Sequence, residues 1–256
     1  MSSKPNIFLK DFEFGHEKAL FEPLNFSCEK GEICAILGAN GLGKTSLLHS
    51  IIGLKPKLKG EILVSEDIGF VPQINFIAFS YSVLDVVLMG RARKISLFKM
   101  PSKNDIDLAY SILEELGIEE LAQKDYLTLS GGQKQLVLIA RALVGSCDVL
   151  ILDEPSSALD LKNQEKILSL ICKLAKTMKK SIIFTTHSPS HALLVANTTL
   201  LLFPDKKWLF GKTKDMLSEL NLKKAYNLDF KLKSFDYFDK KQETKDLIIP
   251  LININN

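Results

Sequence analysis

Eight consecutive residues, Gly38-Ala39-Asn40-Gly41-Leu42-Gly43-Lys44-Thr45, satisfy the pattern G-x-x-x-x-G-K-[ST]. Glycines let successive backbone N–H groups converge on phosphate oxygens, a lysine neutralises their charge, and a hydroxyl can ligate Mg²⁺. Residues Gly38 to Ser46 are therefore expected to hold a nucleotide, with Lys44 on its β- and γ-phosphates and Thr45 on the metal. A second constellation is Val149-Leu150-Ile151-Leu152-Asp153-Glu154. Four apolar residues bury a strand whose end delivers Asp153 to the Mg²⁺ shell, and Glu154 beside it can take a proton from an attacking water. A strand ending in Asp-Glu is common in itself. Combined with the glycine-rich loop it indicates phosphoryl transfer to water. The third constellation, Leu129-Ser130-Gly131-Gly132-Gln133, sets a serine N-cap and two glycines at the start of a helix, where backbone donors face an anion.

These residues need elements that aim them. Ile33 to Leu37 is an apolar run before the glycine-rich loop, and Leu47, Leu48, Ile51 and Ile52 recur at helical spacing after it, ending near Gly53. The loop thus sits between a strand and a helix, the context the pattern requires. Upstream, Ile7, Leu9, Phe12 and Phe14, then Leu24 and Phe26, read as strands, as do Glu61–Val64 and Ile68–Val71. From about 80 to 145 the texture turns helical, with one segment around Val83–Leu88, one carrying Ile106, Leu108, Ile112, Leu113 and Leu116, and one after Gly132. The alternation resumes with strand 149–152, helix 161–178, strand 181–185, helix 188–196, strand 199–203 and a short hairpin near Trp208. Strands alternating with helices indicate an α/β parallel sheet. Residues 212–256 read as a helix followed by a Lys-rich tail.

Composition excludes several other classes. The 256 residues are 46 % hydrophobic and 25 % charged, which suits an ordinary globule with a large core. A net charge of +3 offers neither a nucleic-acid stripe nor a membrane-hugging face, so no nucleic-acid partner is expected. Cys28, Cys34, Cys147 and Cys172 form no CxxC pair and lie among apolar neighbours, as small buried residues of a reducing compartment do. The start MSSKPNIFLKDFEFG lacks the apolar region of a secretory leader, and no apolar stretch approaches the ~18 residues of a membrane span.

The segment Leu129-Ser130-Gly131-Gly132-Gln133 is also the signature of ATP-binding-cassette (ABC) proteins, and it ends 20 residues before Asp153. The chain resembles that family over residues of about 6–210. The resemblance implies a P-loop NTPase (RecA-like) core with a parallel sheet, an antiparallel β subdomain and an inserted helical subdomain at about 80–145. It sets an ATPase domain at 1–211 and a C-terminal helix and tail at 212–256. It further implies ATP and Mg²⁺ as cofactors, with Gln73 touching nucleotide and metal beside Thr45 and Asp153. Glu154 and Lys44 become catalytic groups, joined by His187, which would hold the γ-phosphate and the water. Phe14 falls where the family stacks an aromatic on adenine, with Phe12 and His16 as neighbouring candidates. Ser130, Gly131, Gly132, Gln133 and Asp160 would act on the ATP of a second protomer, so a head-to-tail homodimer is expected. Leu42 and Lys134 depart mildly from the family pattern, and neither removes a catalytic group.

Within the family, Tyr81 to Arg91 and the run Ile68-Gly69-Phe70-Val71-Pro72-Gln73 look like ATPase subunits of metal-chelate importers for iron chelates, haem or cobalamin, closest to a molybdate or tungstate branch. That resemblance implies a separate polytopic permease, indirectly a periplasmic binding protein, and a peripheral place on the cytoplasmic face of the bacterial inner membrane. An exporter ATPase or a non-transport ABC ATPase is the alternative reading. Only 83 residues separate Thr45 from Leu129, without sustained heptads, so the coiled-coil repair ATPases are set aside.

Overall fold

β3 (Ile33–Leu37), β6 (Val149–Leu152) and β7 (Ser181–Thr186) are buried along their whole length, as strands covered on both faces must be. They belong to a six-stranded sheet in a computed structural model that describes residues 5–65, 67–73, 79–95, 99–237 and 243–251. With β5 (Ile68–Val71), β8 (Thr198–Leu202) and β9 (Trp208–Lys212), the strand order is β5-β6-β7-β3-β8-β9. The first five run parallel and β9 returns antiparallel. Side chains alternate between two apolar clusters along each strand. Ala35, Leu150, Phe184 and Leu201 face one, while Ile36, Ile151, Ile183 and Leu200 face the other.

The second cluster is closed by α1 (Lys44–Ile51) and by a three-stranded antiparallel sheet, β2-β1-β4. Its strands are β1 (Ile7–Phe14), β2 (Leu24–Cys28) and β4 (Lys57–Val64). β4 begins earlier than the sequence pattern suggests, because Lys57 and Lys59 hide strand alternation under charge. The first cluster is closed by α2 (Val83–Leu88), α3 (Lys103–Glu115) and α4 (Gly131–Val144), then by α5 (Leu161–Thr177) and α6 (Pro189–Val195). Ser82 and Ser102 start α2 and α3 with reciprocal capping boxes to Asp85 and Asp105. Arg91, in the turn that follows α2, then ties that turn to α3, its Nε 2.8 Å from Asp105 Oδ1.

The C-terminal segment corrects the expectation of a helix and tail. It contains α7 (Thr213–Met216), α8 (Glu219–Tyr226) and an antiparallel hairpin of β10 (Asp229–Tyr237) and β11 (Glu243–Leu251). Phe230 and Ile248 are buried, and lysines between apolar positions had masked the period of two. The end of the tail, 252–256, lies outside the described residues.

Candidate nucleotide site

The loop after β3 meets α1 at Gly43, whose φ of 86° is left-handed and whose Cβ, if present, would lie 2.7 Å from Leu20 Cδ1. Only glycine suits both constraints. α2, α3, α4, α5 and α8 are each capped by a side chain, from Ser82, Ser102, Ser130, Asp160 and Ser218. α1 is not: Gly43 supplies no cap and the first turn holds no acid. Its N–H groups are left to an outside acceptor, and the helix dipole favours an anion there.

Lys44, only 6 % exposed, folds back so that Nζ donates to the carbonyls of Gly38 at 2.8 Å and Ala39 at 3.2 Å. Glu154 Oε1 lies 3.8 Å from the same nitrogen. Burial draws the ammonium below its ordinary pKa, while Glu154 and Asp153 push it back up. An ammonium has three donors, so one is left for a phosphate.

Strand register brings the acids alongside. β6 ends next to β7, with Leu152 opposite Phe184, and β7 ends next to β3, with Leu37 opposite Thr186. Asp153, 2 % exposed, accepts from Thr45 Oγ1 at 2.7 Å and from Thr185 Oγ1 at 2.6 Å. Thr185 in turn accepts from the Glu154 N–H at 2.8 Å. Glu154 holds φ at 45°, sparsely populated for a non-glycine residue and of a kind that clusters at functional sites. That turn aims its carboxylate outward, where Gln73 Nε2 lies 3.4 Å and His187 Nδ1 3.2 Å from Oε2. A cavity of about 560 Å³ is lined by Asn40, Gly41, Gly43, Lys44, Thr45, Ser46, Gln73, Glu154, Ser157 and His187.

None of Ser130, Gly131, Gly132, Gln133 or Asp160 lines that cavity. Ser130 caps α4 in a box with Gln133, and Asp160 caps α5 by accepting from Asn163 N at 2.8 Å. Gly131 instead borders a smaller cleft that also touches Gln73, Glu154, Ala158 and Leu159.

Phe14 differs from expectation. It is 1 % exposed and stacked between Phe12 at 6.4 Å and Phe21 at 6.0 Å, so its ring face is spent inside the core. Phe12 is buried too, and of the three aromatic candidates His16 alone is exposed. Leu20, 37 % exposed, occupies the space between Phe14 and Gly43. One contributor escaped the sequence reading. Thr185 is a polar residue beside a recognised motif, bonded to both Asp153 and the Glu154 N–H. The Thr185-Thr186-His187 run at the end of a buried strand could have flagged it.

Oxygen donors suit Mg²⁺, and the adjacent Thr45 and Asp153 oxygens fit such an ion without a cage of their own. Among the described residues, no cluster of three or more His, Cys, Asp or Glu side chains could hold a metal. Nucleotide oxygens would have to complete the shell.

Residues 21–157 match the family model for ABC transporter, a span that takes in Gly38–Ser46, Gln73, the 129–133 signature, Asp153 and Glu154. The chain belongs to the ABC transporter ATP-binding family. It is 44 % identical over 217 residues to the molybdate import ATP-binding protein MolC of Haemophilus influenzae, covering 85 % of each chain. It is 38 % identical to a Helicobacter pylori ATP-binding protein assigned to iron chelatin transport, covering 86 % of this chain and 92 % of that one. A solved chain of an ABC transporter described as metal-chelate type, in an inward-facing conformation, superposes with a TM-score of 0.92 at 40 % identity, covering 97 % and 98 %. As members of this family do, the chain binds ATP and is an ATPase coupled to transport. Among the described residues no helix is long and apolar enough to cross a membrane.

Proposed function

We propose that this chain is the nucleotide-binding subunit of a bacterial importer for a metal-containing solute, with molybdate or tungstate the favoured cargo and an iron chelate or haem next. The observation that carries the ATP chemistry is the uncapped start of α1, faced by the Lys44 ammonium and the Thr45–Asp153 oxygens. Gly38 to Ser46 bind the phosphates. Thr45, Asp153 and Gln73 hold Mg²⁺, which when bound supplies positive charge to the transferring phosphoryl group. Glu154 takes the proton of the attacking water, and His187, already 3.2 Å from it, positions that water and the γ-phosphate. Lys44 stabilises charge as it shifts toward the leaving oxygen.

Two copies close head to tail, so that Ser130, Gly131, Gly132, Gln133 and Asp160 of one reach the ATP of the other. Their absence from the cavity of their own chain supports that arrangement. A closed two-fold pair follows from such an interface. Binding of ATP closes it, hydrolysis opens it, and Gln73 with residues 81–91 passes the motion to a separate permease. The complex would stand at the cytoplasmic face of the inner membrane, fed by a periplasmic binding protein. The 44 % identity to a molybdate import ATP-binding protein, over 85 % of each chain, supports the cargo.

The test is reconstitution of this subunit with its permease and separately loaded receptors in liposomes. Turnover should rise with the molybdate-loaded receptor. Stimulation by an iron-chelate receptor alone overturns the cargo and leaves the importer standing. No stimulation by any loaded receptor overturns the importer.

A further inference from the structure

The His187 side chain is half exposed, so its place depends on the turn between β7 and α6 that carries it. That turn is thinly anchored. Ser188 N donates to Thr186 Oγ1 at 3.1 Å, but α6 is only seven residues long and starts with no side-chain cap. A helix so short is held by tertiary contacts rather than by its own propensity. Two such contacts come from adjacent residues of its first turn. Ser190 Oγ donates to the Ile248 carbonyl of β11 at 3.4 Å, and His191 Nδ1 lies 3.2 Å from Ser156 Oγ.

The second contact reaches the Glu154 turn. Ser156 is 3 % exposed and follows Glu154 by two residues. Pro155 between them has its φ locked by the ring, and Ser157 N and Oγ both donate to the Glu154 carbonyl, at 3.2 and 3.1 Å. A hold on Ser156 is therefore passed to Glu154 through stiff backbone. Three ties run between residues 154–156 and 185–191. The Glu154 N–H donates to Thr185 Oγ1, His187 Nδ1 meets Glu154 Oε2, and His191 meets Ser156. Burial first, then His187, hold the His191 pKa below its ordinary value. The imidazole is accordingly neutral near pH 7, with one nitrogen donating and one accepting, and it pairs the buried Ser156 hydroxyl in either direction.

We propose that Ser156 and His191 are positioning residues for hydrolysis: their hydrogen bond ties the start of α6 to the Glu154 turn and so keeps His187 in register with Glu154. Neither residue lines the nucleotide cavity, so both act through others. The proposal rests on Glu154 and His187 being the hydrolytic pair, which Glu154→Gln tests separately.

Ser156→Ala removes one hydroxyl. The kcat for ATP hydrolysis should fall about 3- to 10-fold, the contribution of one net hydrogen bond, while KM and the calorimetric Kd for ATP stay within about twofold. His191→Leu should do the same. His191→Asn keeps a polar atom where Nδ1 stood and should return kcat to within about twofold of the parent. Because the pair acts through His187, adding Ser156→Ala to His187→Ala should slow single-turnover hydrolysis by less than about twofold more. In protein labelled with ¹⁵N-histidine, His187→Ala and His191→Leu assign two of the four histidines, and Ser156→Ala should move the His187 resonances as well as those of His191. An unchanged kcat, a loss that falls on Kd as much as on kcat, no rescue by asparagine, a full further loss without His187, or His187 resonances that stay still each overturns the proposal. Should Ser156→Ala or His191→Leu not fold, the other decides by the same readouts. If Glu154→Gln hydrolyses ATP at the parent rate, it is the hydrolytic-pair reading that fails, and the His187 resonances still report whether the tie holds.

Discussion

Glu154→Gln separates the proton-accepting role proposed for this residue from its structural one. Glutamine has the same length, keeps the N–H bond to Thr185 Oγ1 at 2.8 Å, and meets the same left-handed backbone at φ 45°. The turn that aims the side chain is therefore retained. What is lost is a carboxylate able to take a proton from water, a contribution of about 10²- to 10⁴-fold. That is about 2.7–5.4 kcal/mol of barrier. A second consequence follows from Lys44, whose Nζ lies 3.8 Å from Glu154 Oε1. At an effective dielectric of roughly 20, that attraction is about 4 kcal/mol and competes with the phosphates for the same ammonium. Its removal frees Lys44 and takes a negative charge away from the incoming γ-phosphate. Rate and affinity should consequently move in opposite directions. Single-turnover hydrolysis of labelled ATP should slow at least ~100-fold, while ATP affinity by calorimetry holds or tightens. Light scattering should show an ATP-bound dimer that persists. Hydrolysis within about tenfold of the parent rate means another group is the base, and ATP affinity weakened beyond tenfold means Glu154 is mainly structural.

Lys44→Ala deletes the charge proposed to meet two phosphates and should weaken ATP about 100-fold by calorimetry, since each charged hydrogen bond is worth about 1.5–3 kcal/mol. Ser130→Arg puts a cation at the start of α4, outside the cavity of its own chain, so monomer binding of ATP should persist while dimerisation by light scattering and turnover are lost. Gly90→Ala would set a Cβ 1.9 Å from the Arg141 carbonyl oxygen and 2.7 Å from Val144 Cγ1. The resulting displacement of α4 should cost about 1–3 kcal/mol and lower the calorimetric Tm by about 2–12 °C. Asp105 is held below its ordinary carboxylate pKa of 3.8, chiefly by the Ser102 hydrogen bonds and then by Arg91. A lowered folded pKa stabilises above the unfolded value and is lost as pH falls through the folded one. The Tm deficit of Asp105→Asn should therefore be full at pH 6 and shrink below about pH 3.8; a deficit independent of pH refutes the charged role.

Glycine spacing, the apolar run before it and the helical period after it were enough to read the glycine-rich turn between β3 and α1, because they describe one stretch of backbone with one geometry. Asp153 and Glu154 were legible for the same reason, at the end of a strand too apolar to lie anywhere but inside a sheet. The 129–133 segment announced a capped helix start, and its box from Ser130 to Gln133 is a local contact. Register between strands that are distant in sequence decided the rest. Only the adjacency of β6, β7 and β3 brings Asp153 against Thr45, sets Thr185 against Asp153 and the Glu154 N–H, and sets His187 against Glu154. Phe14 shows the converse: its place in the motif order suggested an open ring, but packing against Phe12 and Phe21 turned the ring inward. In the last forty residues, charge between apolar positions hid a hairpin whose Phe230 and Ile248 are buried. Local backbone needs are written in neighbouring residues, whereas contact across a sheet depends on which strands pair, and that is settled by burying both apolar faces at once.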